Sequence, residues 1–125
     1  MDIEQFREYA LSKPATSENF PFDEFTLCLR VAGKIFAITG LDSEIFTINL
    51  KCDPDYAEEL REQFQEIKPG WHMNKKHWNT VDCTGVLDDV LIKKLVDHSY
   101  EQVVKNLKKS EREALGNSRE GRNAY

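Results

Sequence analysis

Apolar and polar residues alternate with a period of two from Phe25 to Val31, which predicts a β-strand. Ala32-Gly33 offers a two-residue turn, and Lys34 to Thr39 then returns antiparallel. That register sets Leu29 opposite Phe36 and Leu27 opposite Ile38, so all four share a core face. Thr26, Cys28 and Arg30 point the other way. A third strand, Ile45 to Lys51, turns Phe46, Ile48 and Leu50 inward and Thr47, Asn49 and Lys51 outward. A further strand from His77 to Cys83 puts Trp78 and Thr80 on one face and Val81 on the other.

Helical spacing flanks this meander. Asp2 with Gln5 forms a capping box, Ile3, Phe6, Ala10 and Leu11 make an apolar face, and Pro14 stops the helix. Asp53-Pro54 starts a second helix, whose stripe runs Tyr56, Leu60, Phe64 and Ile67 until Pro69-Gly70. A third covers about Leu87 to Asp97, with Leu87, Val90, Leu91 and Leu95 inward. Ser99 and Gln102 pair as the cap of a last helix striped by Tyr100, Val103, Val104 and Leu107. Neighbouring strands between helices imply an α+β class: an antiparallel sheet, made of the three-strand meander plus one or two further strands, packed against helices. With no repeat or linker, residues 1–115 read as a single domain. The polar, aperiodic stretch 116–125 reads as a disordered tail.

Composition changes this picture little. Apolar residues at 40% and charged residues at 31% fit a soluble globular domain, and no apolar run could span a bilayer. The acidic, amphipathic start lacks the basic and apolar regions of a secretory signal, so a cytoplasmic location is expected. Cys28, Cys52 and Cys83, odd in number and far apart, read as buried reduced thiols.

Charge adds more. The formal net charge of −5 concentrates in residues 1–60, which hold 12 acidic and 5 basic side chains. Such a chain is a poor general nucleic-acid binder, and any binding needs a local basic patch. One exists: between Ile67 and Val81 stand Lys68, Lys75 and Lys76 without an acid, together with His72, His77, Trp71 and Trp78. Lysines neutralise phosphate, Asn74 and Asn79 offer donors and acceptors, and an indole can stack or wedge. The competing reading makes this an ordinary charged loop, with Trp78 packed on Phe64 and Trp71 the more exposed ring.

Catalytic arrangements find little support. His72 and His77, five apart, do not share a helical face, and a site with Asp82 would need the loop to fold back. His77 and Cys83 lie about 20 Å apart along an extended strand, beyond hydrogen-bond reach. No nucleophile elbow, phosphate loop or dinucleotide fingerprint occurs, Asp88-Asp89 is explained by a helix start, and no cofactor is implied. The chain reads as a non-enzyme.

Five pieces resemble the MmcQ/YjbR family in the same order: Phe22-Asp23; Gly33-Lys34-Ile35-Phe36-Ala37; Leu50-Lys51-Cys52-Asp53-Pro54; Pro69-Gly70 with His72 to Val81; and Ser99-Tyr100. They span about residues 2–110. The resemblance implies a CyaY-like α+β fold and a proposed double-wing mode of DNA binding. It carries onto Lys34, Lys51, Asn74, Lys75, Lys76, His77 and Trp78, to which the residue pattern adds Trp71. Family members often have arginine where this chain has Lys76. A point charge there, instead of a bidentate fork, disfavours base-specific reading. The expectation is weak, salt-dependent DNA binding by a monomer or weak dimer, with no membrane partner. The alternative is a protein- or small-ligand-binding module on the same surface. A CyaY-like fold also invites a frataxin-like metal role for Asp2, Glu4, Glu8, Glu18, Asp23 and Glu24.

Overall fold

The computed structural model describes residues 1–70, 73–113 and 115; the expected tail at 116–125 lies outside them. The capping box forms as predicted. Asp2 accepts from the Gln5 amide, the Gln5 side chain accepts from the Asp2 amide, and helix α1 runs Ile3–Leu11 with Phe6 and Ala10 buried. After Pro14, Ala15 adopts a left-handed φ of 59° and turns the chain into strand β1, Thr16–Asn19. Sequence pattern missed β1 because its four residues are all polar. Backbone pairing to its neighbour defines it instead.

Strands β2 (Thr26–Val31) and β3 (Lys34–Gly40) form the expected hairpin, and Ala32 and Gly33 both take positive φ, as a type I′ turn requires. Their register differs from the expectation. Leu29 faces Ala37, Leu27 faces Thr39 and Cys28 faces Ile38, because a bulge at Leu29/Arg30 leaves Phe36 as an extra residue on β3. Phe36 and Ala37 are both fully buried, and Ile38, expected in the core, turns to the opposite face and is half-buried.

Strand β4 spans Thr47–Lys51, and helix α2, Pro54–Gln63, starts on the Asp53 cap. The helix ends at Phe64, so Ile67 belongs to the short strand β5, Ile67–Pro69, and not to the helical stripe. Strand β6 is Trp78–Asp82. The two helices expected between Leu87 and Leu107 are one, α3, Asp89–Val104, capped by Asp88. Its buried face is Ile92, Leu95, Val96, Ser99, Tyr100 and Val103, while Val90 is exposed. Ser99 therefore caps nothing. A further helical segment begins at 109–113.

The sheet has six antiparallel strands in the order β1-β2-β3-β4-β6-β5, one more than the largest number expected. α1 lies against β1, α2 against β5 and α3 against β2 to β4. Their buried side chains join Leu27, Leu29, Phe36, Ile48, Leu50 and Val81 in one cluster that continues to Leu115. All three helices thus cover the same face. Among the described residues, no helix is long and apolar enough to cross a membrane.

Candidate nucleic-acid interface

Register assigns the side chains of the other sheet face. Lys51 faces Trp78, Asn49 faces Thr80, Thr80 faces Lys68, Thr47 faces Asp82, and Arg30 faces Ile35. Each pair lies one step away from a core pair, so these residues point away from the helices. The open face carries three cations on its strands, Arg30, Lys51 and Lys68, against one carboxylate, Asp82. An acidic chain has thus placed a net basic surface on one side of its sheet. Arg30 donates to the Asn19 side chain and to the Gly33 carbonyl. Asn19 is the cross-strand partner of Cys28, and the small Cys28 side chain is fully buried beneath this bridge.

The loop between β5 and β6 stands at one end of this face. The Asn74 side-chain oxygen accepts from the Lys76 amide at 3.0 Å and the Asn74 carbonyl accepts from the His77 amide at 3.1 Å, which makes a tight local turn. Asn74, Lys75 and Lys76 are exposed on it. Two clamps fix the turn to the body. The Cys52 amide donates to the His77 carbonyl at 2.7 Å. Arg61 of α2 donates to the Lys75 carbonyl and to the Asn79 side chain, each at 2.9 Å. Sequence reading missed Arg61; its signal is its place beside the apolar stripe of α2, four residues after buried Ala57. Gly70 is required by close approach: a Cβ there would stand 2.9 Å from the Trp78 Cβ.

The predicted residues divide as follows. Lys51 and Trp78 are cross-strand neighbours on the open face, both half-buried. Register places Trp78 on the open face opposite Lys51, while Phe64 packs against the core cluster on the helix side. Asn74, Lys75 and Lys76 continue the same end of the sheet. Half-buried His77 serves through its backbone. Lys34 shares that end of the sheet, but as the partner of buried Val31 it projects toward the helix side and does not join Lys51. Trp71 and His72 lie outside the described residues.

The groups considered for other chemistry have structural tasks. Burial pushes the Cys52 and Cys83 thiols up to about 12, and raises Cys28 as well, so all three are protonated. His98, in α3, accepts from the Asp53 amide at 3.1 Å through Nε2. Burial holds its pKa below the usual histidine range. Of the acids expected to bind metal, Asp2 caps α1, Glu18 pairs with Arg7, and Asp23 accepts from the Phe25 and Thr26 amides. Hydrogen bonds from Arg7 hold the Glu18 carboxyl low, as backbone amides do for Asp23. Among the described residues no three histidine, cysteine or carboxylate side chains gather as metal ligands.

A family model described as YjbR matches residues 11–102. Uncharacterized protein YjbR of Escherichia coli strain K12 is 34% identical over 115 residues, covering 92% of this chain and 98% of its own. Uncharacterized protein YbdF of Escherichia coli O157:H7 is 32% identical over 112 residues, 90% of this chain and 92% of that one. The crystal structure of Deinococcus radiodurans protein DR2400, with domain DUF419, aligns at a TM-score of 0.87 and 37% identity, covering 91% of this chain and 87% of that one. A Pseudomonas syringae protein aligns at 0.70 and 29% identity, over 82% of this chain and 98% of its own.

Proposed function

This chain belongs to the YjbR family, and from that premise we propose that it is a non-enzymatic DNA-binding accessory protein that meets the DNA backbone with its open sheet face and the 73–77 turn. The observation that carries this reading is the continuity of Lys51 and Trp78 on the sheet with Asn74, Lys75 and Lys76 on the adjoining turn. Exposed lysines supply sequence-independent phosphate contacts, and the half-buried Trp78 indole is a ring on which a base could stack. The turn is braced by Arg61 and Cys52, so little ordering entropy is lost when DNA binds. Lys51, Lys75 and Lys76 together would make three phosphate contacts, for a salt slope of about −2.7 on duplex DNA.

Titrating a labelled duplex at low and moderate salt tests the proposal. Binding at low salt is expected to weaken with that slope, and Lys75→Glu/Lys76→Glu to lower affinity at least about tenfold. An unchanged affinity in the double variant, or no binding by the parent at low salt, would sink it.

A further inference from the structure

The end of the sheet opposite the 73–77 turn has a different chemistry. The β1–β2 loop (20–25) and the β3–β4 loop (41–46) lie side by side there, joined by a hydrogen bond from the Leu41 amide to the Phe25 carbonyl at 2.8 Å. Together they display Phe20, Phe22, Phe25, Leu41 and Ile45, each between 46% and 67% exposed. Scattered single apolar residues on a surface need no explanation, but five in two touching loops form a patch of the kind that marks an interface. The loops are organised without a partner. Asp23 accepts from two amides and from the Thr26 hydroxyl, and the Ser43 hydroxyl accepts from the Ile45 amide at 3.3 Å.

The same loops carry Asp23, Glu24, Asp42 and Glu44, and no lysine, arginine or histidine occurs anywhere in residues 14–29 or 35–50. Charge therefore decides between occupants. A second copy would bring four carboxylates against four. An anionic lipid surface would be repelled by the same groups, and so would DNA. A cationic partner gains from every one of them.

We propose that this end of the sheet is a docking site for a basic, amphipathic protein segment, whose apolar side chains seat on the Phe22–Phe25–Leu41–Ile45 surface and whose lysines or arginines meet Asp23, Glu24, Asp42 and Glu44. Aromatic anchors with a charged rim are the usual anatomy of such a contact. Ser43 and Ile45 border Lys68 and Thr80 of the open face, whereas the 73–77 turn of the proposed DNA surface lies at the other end of the sheet.

Fluorescence anisotropy on the full chain tests the site with two labelled amphipathic helical peptides that share one apolar face and carry either lysine or glutamate on the other. The lysine peptide is expected to bind and the glutamate peptide not to. Phe22→Ser/Phe25→Ser and Asp42→Lys/Glu44→Lys should each weaken binding about tenfold or more, with unaltered circular dichroism. Lys75→Glu/Lys76→Glu should leave peptide binding unchanged, which separates this site from the DNA reading. Equal binding of both peptides, no binding of either, or indifference to both patch variants overturns the proposal. So does self-association in sedimentation that Phe22→Ser/Phe25→Ser abolishes, since the occupant would then be a second copy.

Discussion

Ser99 shows how one hydroxyl can hold a helix to a sheet. β3 and β4 pair through Ala37–Leu50 and Ile38–Asn49, and the next step would set Phe36 against Lys51. Ser99 of α3 stands between those two: its hydroxyl accepts from the Lys51 amide at 2.8 Å and donates to the Phe36 carbonyl. The bulge at Phe36 and this fully buried bridge belong together, because an extra residue in β3 disturbs the ladder where the serine enters. Ser99→Ala removes one acceptor and one donor from buried backbone partners, each costing about 1–3 kcal/mol when orphaned. Partial closure of the strands recovers some of that, so a loss of about 2–3 kcal/mol is expected as a lower urea midpoint at unchanged slope. A variant as stable as the parent would mean that the strands close on each other directly. Sequence alone marks Ser99 as a helix cap because serine followed by glutamine fits that pattern. Nothing local reveals that its partners are some 50 and 60 residues away, at Lys51 and Phe36.

The start of α2 depends on another element, and this coupling gives the fold a pH response. Asp53 accepts from the Tyr56 amide at 3.2 Å, Pro54 opens the helix, and the Asp53 amide itself donates to His98 on α3. The Tyr56 ring meets the His98 ring edge-on at 5.0 Å. Only neutral imidazole can accept that amide. Burial lowers the His98 pKa, Lys105 acts in the same direction, and Asp53 and Glu101 oppose it. The folded pKa is thus below the unfolded value of about 6.5. The unfolded chain binds the proton first, so this contribution is fully present above about 6.5 and is lost as pH falls through the folded value. Urea unfolding should give lower stability at pH 5.5 than at 7.5, and His98→Gln should reduce that difference; an undiminished difference would assign it to other groups. The sequence made α2 legible through Asp53-Pro54 and made α1 legible through Asp2 and Gln5, because caps are local chemistry. It did not reveal β1, whose polar residues carry no alternation, nor the unbroken α3, where buried Ile92 and exposed Val90 reverse the expected stripe. These are settled by pairing and packing, which a single strand or helix does not encode.

At the scale of the whole molecule, the separation of charge by layer matters more than its total of −5. Alternation along β2, β4, β5 and β6 places Arg30, Lys51 and Lys68 on the open side, while exposed Asp55, Glu58, Glu59 and Glu62 ride on α2 behind the sheet. Part of this was legible: the outward placing of Arg30, Lys51 and Thr80, and the acid-free run around Lys75 and Lys76. The oily side of the meander also called for helices over it, and α1, α2 and α3 all lie there; what was not legible is that six strands, not four or five, share the sheet. This arrangement predicts how the acids act on DNA binding. They ride on the helix whose Arg61 braces the contact turn, on the side away from the open face, so they are expected to repel DNA through solvent. The Debye length is about 30 Å at 0.01 M salt and about 8 Å at physiological ionic strength. Glu58→Gln/Glu62→Gln should therefore tighten binding to a labelled duplex severalfold at the lower salt, and the gain should vanish at the higher. The salt dependence of the double variant should be steeper for the same reason. If the gain is equal at both salts, the glutamates lie in direct contact with the DNA, and the binding surface is then the helix side of the molecule, not the open sheet.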